Sequence, residues 1–256
     1  MTEHSARVFV VALDSASNVA TLRKLRASKV VDVVGVAATR ARPGSMTIEK
    51  SLLRSVDLIP GSQLFKLAGA MIQRQYESTK VTANLRRFAV ETGCPFQEVS
   101  DINNDAFLES VASQEPDIIL SCGCLQIFKE QLIRLPARGC LNFHPSLLPR
   151  NKGPSPLFYT LYRGERRAGA SLHRLVRGID CGEIYSQLEI AVDPQETLFS
   201  LAAKVTEIAA QVIMEGLQAF MRNVPGRDNT SDRNAYDTYP GRPEWASFFQ
   251  RGKRIA

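Results

Sequence analysis

The sequence predicts an α/β fold, a mostly parallel, doubly wound sheet with a short C-terminal extension. Two apolar runs carry this reading. Residues 7–13 (RVFVVAL) and 30–38 (VVDVVGVAA) are nearly continuous β-branched stretches, the pattern of strands covered on both faces. Between them, Asn18 to Ser28 has helical patterning, which gives the β-α-β order of a parallel sheet. A third observation is size and composition. The 256 residues, 44% hydrophobic and 23% charged, suffice for one large domain and exclude a disordered or fibrous chain. No apolar run approaches the roughly 20 residues that span a bilayer. The N-terminus, MTEHSARVFVVALD, has Glu3 early and reads as a first strand, not a signal peptide.

The remaining elements follow in order. Residues 40–80 are less regular: RARPGSM reads as loop and 62–76 (SQLFKLAGAMIQRQY) as helix. That segment is long for a connection, and shaping a pocket, meeting a partner and plain packing all stay open. Thr82 reads as the N-cap of a helix through Glu91, stopped by Gly93 and Pro95. A helix over 104–114 precedes a strand over 116–123, then a helix near 128–134 and a strand over 139–143. The loop HPSLLPRNKGPSP leads to a short helix, PLFYTLYRG, a strand over 169–176, the turn RGIDCGE and a strand, IYSQLEI. Asp193, with Pro194 behind it and Glu196 at the third position, predicts the start of a long helix. Its apolar stripe runs 198, 201, 205, 208, 212, 216, 220 and stops at Val224-Pro225-Gly226. We therefore expect a catalytic domain over 1–223 and a polar, turn-rich extension over 224–256 lying along it.

Charge is uneven. Nine basic residues against one acid, Glu165, give the stretch 134–177 a net +8, while the whole chain carries +6. This is either a solvated basic face or a field that concentrates a small polyanion near a cleft. No recognised nucleic-acid-binding motif accompanies it. The five cysteines lack CxxC spacing and only three histidines are present, so we expect reduced, buried thiols, no metal site and a cytoplasmic setting. A dinucleotide site would need GxGxxG after the first strand, where LDSASN has no glycine, and no Walker loop occurs.

The best constellation lies where the strand over 139–143 ends. Asn142 and His144, two apart, point to one side of an extended backbone. Taken singly, ordinary strand-end hydrogen bonding would explain both, and Asp180 would be a turn residue bonding local backbone. Together, an amide donor, an imidazole and a carboxylate are the parts needed to move an acyl group between nitrogens.

At these residues the chain resembles a known family. GCLNFHPSLLPRNKGPSP followed by GASLHRLVRGIDCGEI is similar to the folate-dependent formyltransferase superfamily, which includes methionyl-tRNA, glycinamide ribonucleotide and sugar N-formyltransferases. The pattern is Asn-x-His-Pro-Ser-Leu-Leu-Pro with an Asp-x-Gly about forty residues on. The likeness is strong over 115–205 and faint before 95. It implies a Rossmann-like formyltransferase fold with 10-formyltetrahydrofolate as formyl donor. Asn142 and His144 would grip the formyl oxygen, and Asp180 would hold His144 and help relay the proton. The pterin would lie between Cys124, Leu125, Gln126 and Ile127 on one wall and Leu175, Val176, Arg177, Gly178 and Ile179 on the other. Arg150 and Lys152 would meet anionic groups of donor or acceptor, in a loop that includes Ser146. Ser171 and His173 share a strand face, and His173 is open between a site role and a satisfied core histidine.

Departures from the family concern the acceptor. About thirty residues follow the long helix, where methionyl-tRNA formyltransferases carry a barrel that helps hold tRNA. The glycine-rich phosphate loop of the glycinamide ribonucleotide enzymes is reduced to Ser17-Asn18, with Asp14 added. The reading is an N-formyltransferase acting on a primary amine of a small molecule, such as a nucleotide-linked amino sugar. Its partners would be folate and that amine, with no nucleic acid or membrane, and an oligomer compatible with it. The alternatives are a 10-formyltetrahydrofolate hydrolase, a methionyl-tRNA formyltransferase-like enzyme without the barrel, and a catalytically silent folate binder.

Overall fold

The computed structural model describes residues 5–39, 46–65, 68–69, 84–230 and 236–256. Seven strands form one sheet in the order β3-β2-β1-β4-β5-β6-β7. They are β1 (Ala6–Leu13), β2 (Val31–Thr39), β3 (Phe96–Val99), β4 (Ile118–Cys122), β5 (Gly139–His144), β6 (Arg167–Arg174) and β7 (Ile184–Ala191). β1 to β5 are mutually parallel, and β6 and β7 are added antiparallel at one side. The order reverses between β1 and β4, so the carboxyl ends of the parallel strands open on a crevice suited to a ligand.

The continuous apolar runs are explained by burial on both faces. Val8, Val10 and Ala12 pack with Val19, Leu22 and Leu25 of α1 (Ala16–Ala27) and Leu85 and Phe88 of α3 (Leu85–Thr92). The alternate residues, Phe9 and Val11, pack on the opposite face with Phe107 and Val111 of α4 (Asp105–Ala112) and Leu132 of α5 (Glu130–Arg134). Gly35 has no side chain because a Cβ there would stand 2.4 Å from the Phe9 ring. The long helix α7 (Leu198–Met221) lays Val205, Val212, Ile213 and Leu217 on the first of these cores. Among the described residues no helix is long and apolar enough to cross a membrane.

Three expectations are corrected. The long helix starts not at Asp193 but at an N-cap on Thr197, which forms a reciprocal capping box with Ser200. Asp193 instead heads the preceding turn, its carboxylate accepting from the Gln195 amide at 2.7 Å. The cap of α3 is Asn84, while Thr82 lies outside the described residues. The C-terminal stretch, expected to be polar and turn-rich, contains α8 (Arg242–Gln250). Trp245, Phe248 and Phe249 of α8 join Phe158 and Tyr159 of α6 (Pro156–Tyr162) in a third core. The Trp245 indole there donates to Ser51 of α2 (Ile48–Leu53) at 2.8 Å. Of the helix expected over 62–76, residues 62–65 and 68–69 are helical and the rest lies outside the described residues.

Candidate active site

β5 carries Asn142 and His144 to the carboxyl edge of the sheet, and both line a cavity of about 1280 Å³ together with Asp180. Asn142 pairs across the ladder with His173 of β6, and its amide nitrogen lies 3.1 Å from His173 Nε2. His173 Nδ1 faces the Arg174 carbonyl at 3.0 Å. A carbonyl only accepts, so Nδ1 carries the proton and Nε2 accepts from Asn142. One N–H of the Asn142 amide is engaged this way, and among the described residues the second makes no hydrogen bond.

Asp180 comes from the turn after β6, where it adopts φ +49. Its Oδ2 accepts from the Gly153 amide at 2.8 Å. Oδ2 also lies 3.7 Å from His144 Nδ1, and Oδ1 lies 3.5 Å from His173 Nε2. Both spacings are longer than a hydrogen bond, so one carboxylate stands between two imidazoles. His144 Nε2 faces the Asn151 carbonyl at 3.0 Å, which assigns the ring proton to Nε2 and leaves Nδ1 toward Asp180. Burial raises the Asp180 carboxyl, but the attraction of His144 and His173 in their cationic forms and the Gly153 amide outweigh it and hold it down at about 2. Burial lowers His144 more than Asp180 and the Asn151 carbonyl raise it. The resting pair is an ionised carboxylate beside a neutral imidazole.

All nine residues expected to wall the pterin, Cys124 to Ile127 and Leu175 to Ile179, line the same cavity. Leu125, Ile127 and Ile179 are left 42%, 70% and 40% exposed there, an apolar part of the lining. Gln126 is an exception in kind, since its side-chain amide bonds the backbone of Ser100 and Ile102.

The residues expected to meet substrate are placed differently. Ser146, Lys152, Ser171 and His173 are buried and absent from the cavity lining, as is the exposed Arg150. Ser171 Oγ donates to the Ser146 carbonyl at 2.7 Å and accepts from the Leu148 amide at 3.2 Å, so this pair shapes the loop. Lys152 turns away because the C-terminal segment covers it: its Nζ donates to the Asn229 carbonyl at 3.2 Å and lies 3.8 Å from Cys181 Sγ. Arg134, Arg174 and Arg177 of the basic stretch do line the cavity, along with Lys129. Arg163 and Arg167 instead pair with Asp237 and Glu189.

Residues that the sequence reading did not single out complete the site. Asn151 supplies the carbonyl to His144, and Tyr236 and Tyr239 line the cavity from the C-terminal segment. The expectation of uniformly buried thiols is corrected too. Cys122 and Cys140 are buried and pushed up to about 12, whereas Cys181 is exposed on the cavity wall. Among the described residues, no group of three or more His, Cys, Asp or Glu is placed to hold a metal ion.

The formyl transferase family model matches residues 6–217. The chain belongs to the formyl transferase family. Enzymes of this family take their formyl group from 10-formyltetrahydrofolate. Among curated relatives, the chain is 35% identical over 143 residues to the methionyl-tRNA formyltransferase of Thermotoga maritima, covering 56% of this chain and 46% of that protein. The chain thus spans about half the length of the curated relatives it matches. Among solved structures, glycinamide ribonucleotide transformylase 1 from Symbiobacterium toebii aligns with TM-score 0.63 and 18% identity over 90% of this chain and 96% of that one. A 4-N formyltransferase from Francisella tularensis aligns with TM-score 0.59 and 18% identity, covering 92% and 77%. Likeness at this level describes the fold.

Proposed function

We propose that this chain is an N-formyltransferase that moves a formyl group from 10-formyltetrahydrofolate to a primary amine of a small molecule, with nucleotide-linked amino sugars as the first candidates. The observation that carries the reading is that Asn142, His144 and Asp180 line the same cavity as the exposed apolar side chains of Leu125, Ile127 and Ile179. In this reading the donor's pterin lies against the apolar side chains, and its formyl group reaches Asn142, His144 and Asp180.

The amine nitrogen attacks the formyl carbon, a C–N bond forms, and the carbonyl electron pair moves onto oxygen. The free N–H of Asn142 meets that oxyanion, a contact made only once the charge develops. The amine's proton passes to His144 Nδ1, because Nε2 is already engaged by Asn151. The imidazolium keeps its bond to the Asn151 carbonyl, and its charge is offset by the Asp180 carboxylate 3.7 Å from Nδ1, an attraction that the neutral ring lacks. When the bond to the folate nitrogen breaks, that proton moves to the departing nitrogen. The products are a formamide and tetrahydrofolate.

The test is turnover of 10-formyltetrahydrofolate with a panel of primary amines that includes nucleotide-linked amino sugars, glycinamide ribonucleotide and methionyl-tRNA. Tetrahydrofolate release that requires one of the small amines supports the proposal. Formate release at the same rate without any amine would make the protein a hydrolase. Tight folate binding with no turnover would make it a silent binder.

A further inference from the structure

We infer that Asn229, on the chain after α7, is a positioning residue for formyl transfer, acting through the turn that carries Asp180. The inference rests on the role proposed for Asp180, and the experiment below separates the two.

Asp180 sits at φ +49, and a non-glycine residue there persists when its surroundings over-determine it. The carboxylate side of the turn is fixed by the Gly153 amide. The backbone side is fixed by Asn229, whose Nδ2 donates to the Asp180 carbonyl at 2.8 Å and to the Gly182 carbonyl at 2.9 Å. One side chain thus grips the peptide carbonyls on both sides of Cys181. The far side of the turn is equally close-packed, since a Cβ on Gly182 would stand 2.0 Å from the Arg174 carbonyl oxygen.

The orientation of the Asn229 amide is dictated by its partners. Carbonyl oxygens only accept, so the NH2 group must face them. That leaves Oδ1 buried, with no hydrogen-bond partner among the described residues. An unpaired buried acceptor is destabilising, and an apolar side chain would fill the same space without it. What an amide adds is the two-carbonyl grip.

Asn229 is itself held. Its carbonyl accepts from the buried Lys152, and its neighbour Arg227 exchanges backbone hydrogen bonds with Ile184 at 2.8 and 2.9 Å. It is 2% exposed and does not line the cavity, so it acts without touching substrate.

The full-length chain is compared as wild type, Asn229→Ala, Asn229→Asp, Asp180→Ala and Asn229→Ala/Asp180→Ala. Asn229→Asp keeps the size but has no N–H to donate. The first readout needs no acceptor: imidazole nitrogen NMR, readable because the chain has three histidines. We expect the His144 and His173 ring signals of both Asn229 variants to move in the same sense as in Asp180→Ala, with no further movement in the double variant. The second is turnover of the best amine of the panel. We expect kcat to fall about 100-fold in either Asn229 variant, donor affinity to stay within about twofold, and the residual rate of Asp180→Ala to be unchanged on adding Asn229→Ala.

Wild-type kcat in the Asn229 variants, with Asp180→Ala inactive, overturns the inference, even if their Tm falls. So does an equal loss in the Asp180→Ala background, or failure of both Asn229 variants to fold, which would make the residue structural. Full turnover by Asp180→Ala alone removes the catalytic reading beneath it, and that is seen without any Asn229 variant.

Discussion

Asp180 Oδ1 lies 3.5 Å from His173 Nε2 while Oδ2 lies 3.7 Å from His144 Nδ1, so the carboxylate is shared by two imidazoles. His173 in turn holds Asn142. The amide, both rings and the carboxylate therefore form one connected set, and changes at any member are expected to be non-additive.

Asn142→Ala removes the N–H assigned to the oxyanion. We expect kcat to fall by about 10²–10³-fold, or roughly 2.7–4 kcal/mol of transition-state stabilisation. Donor affinity, measured by calorimetry with a folate analogue, should be unchanged. Wild-type turnover would remove Asn142 from the mechanism.

Asp180→Asn keeps an oxygen for the Gly153 amide but loses the charge that supports a protonated His144. Turnover should fall by about 10²–10⁴-fold, and the unfolding temperature at neutral pH should fall by several degrees, because the stabilisation carried by the ionised carboxylate goes with the charge. A variant that turns over normally would show that the carboxylate's charge is not used.

Acid should destabilise the fold in two stages. His144 is held below its ordinary 6.5 by burial, so its contribution is complete above that pH. It is lost as pH falls from there toward the folded value, because the unfolded chain takes up a proton the folded site resists. Asp180, at about 2 against an ordinary 3.8, contributes roughly 2 kcal/mol above pH 3.8 that disappears as pH falls toward 2. Thermal unfolding of wild type and His144→Gln across pH 4–7.5 checks the first stage: the wild-type slope should be the steeper. Parallel curves would count against a depressed His144.

Gly153→Ala should be costly out of proportion to one methyl group. Gly153 has φ +106, and a Cβ there would lie 2.1 Å from the Asp237 carbonyl oxygen. The loop and the C-terminal segment must part, and strain of this kind costs about 1–3 kcal/mol, several degrees in Tm for a chain of this size. Calorimetry measures it, and an unchanged Tm would mean the two segments are not apposed.

The sheet and the polar centre were legible in the sequence for local reasons. Burial on both faces leaves a continuous apolar run, and spacing by two puts Asn142 and His144 on one side. What was not legible depended on contacts between distant segments. Lys152 read as a basic residue for an anion because nothing near it in sequence announces that Asn229 will cover it. Trp245, Phe248 and Phe249 are apolar residues set among Arg242, Glu244 and Arg251, too short a pattern to stand out as a helix until α6 offers a ring-lined face. Asp193 and Thr197 each head a valid capping pattern four residues apart, and the choice went to Thr197, whose partner Ser200 answers it.

Trp245 is the chain's one tryptophan, and it is 0% exposed, packed against Phe158, Phe248 and Phe249. The indole is therefore a single-site optical gauge of whether α8 is docked. Fluorescence at short wavelength certifies that the end of the chain is seated before any assay begins, and a red shift identifies a preparation whose silence says nothing about chemistry.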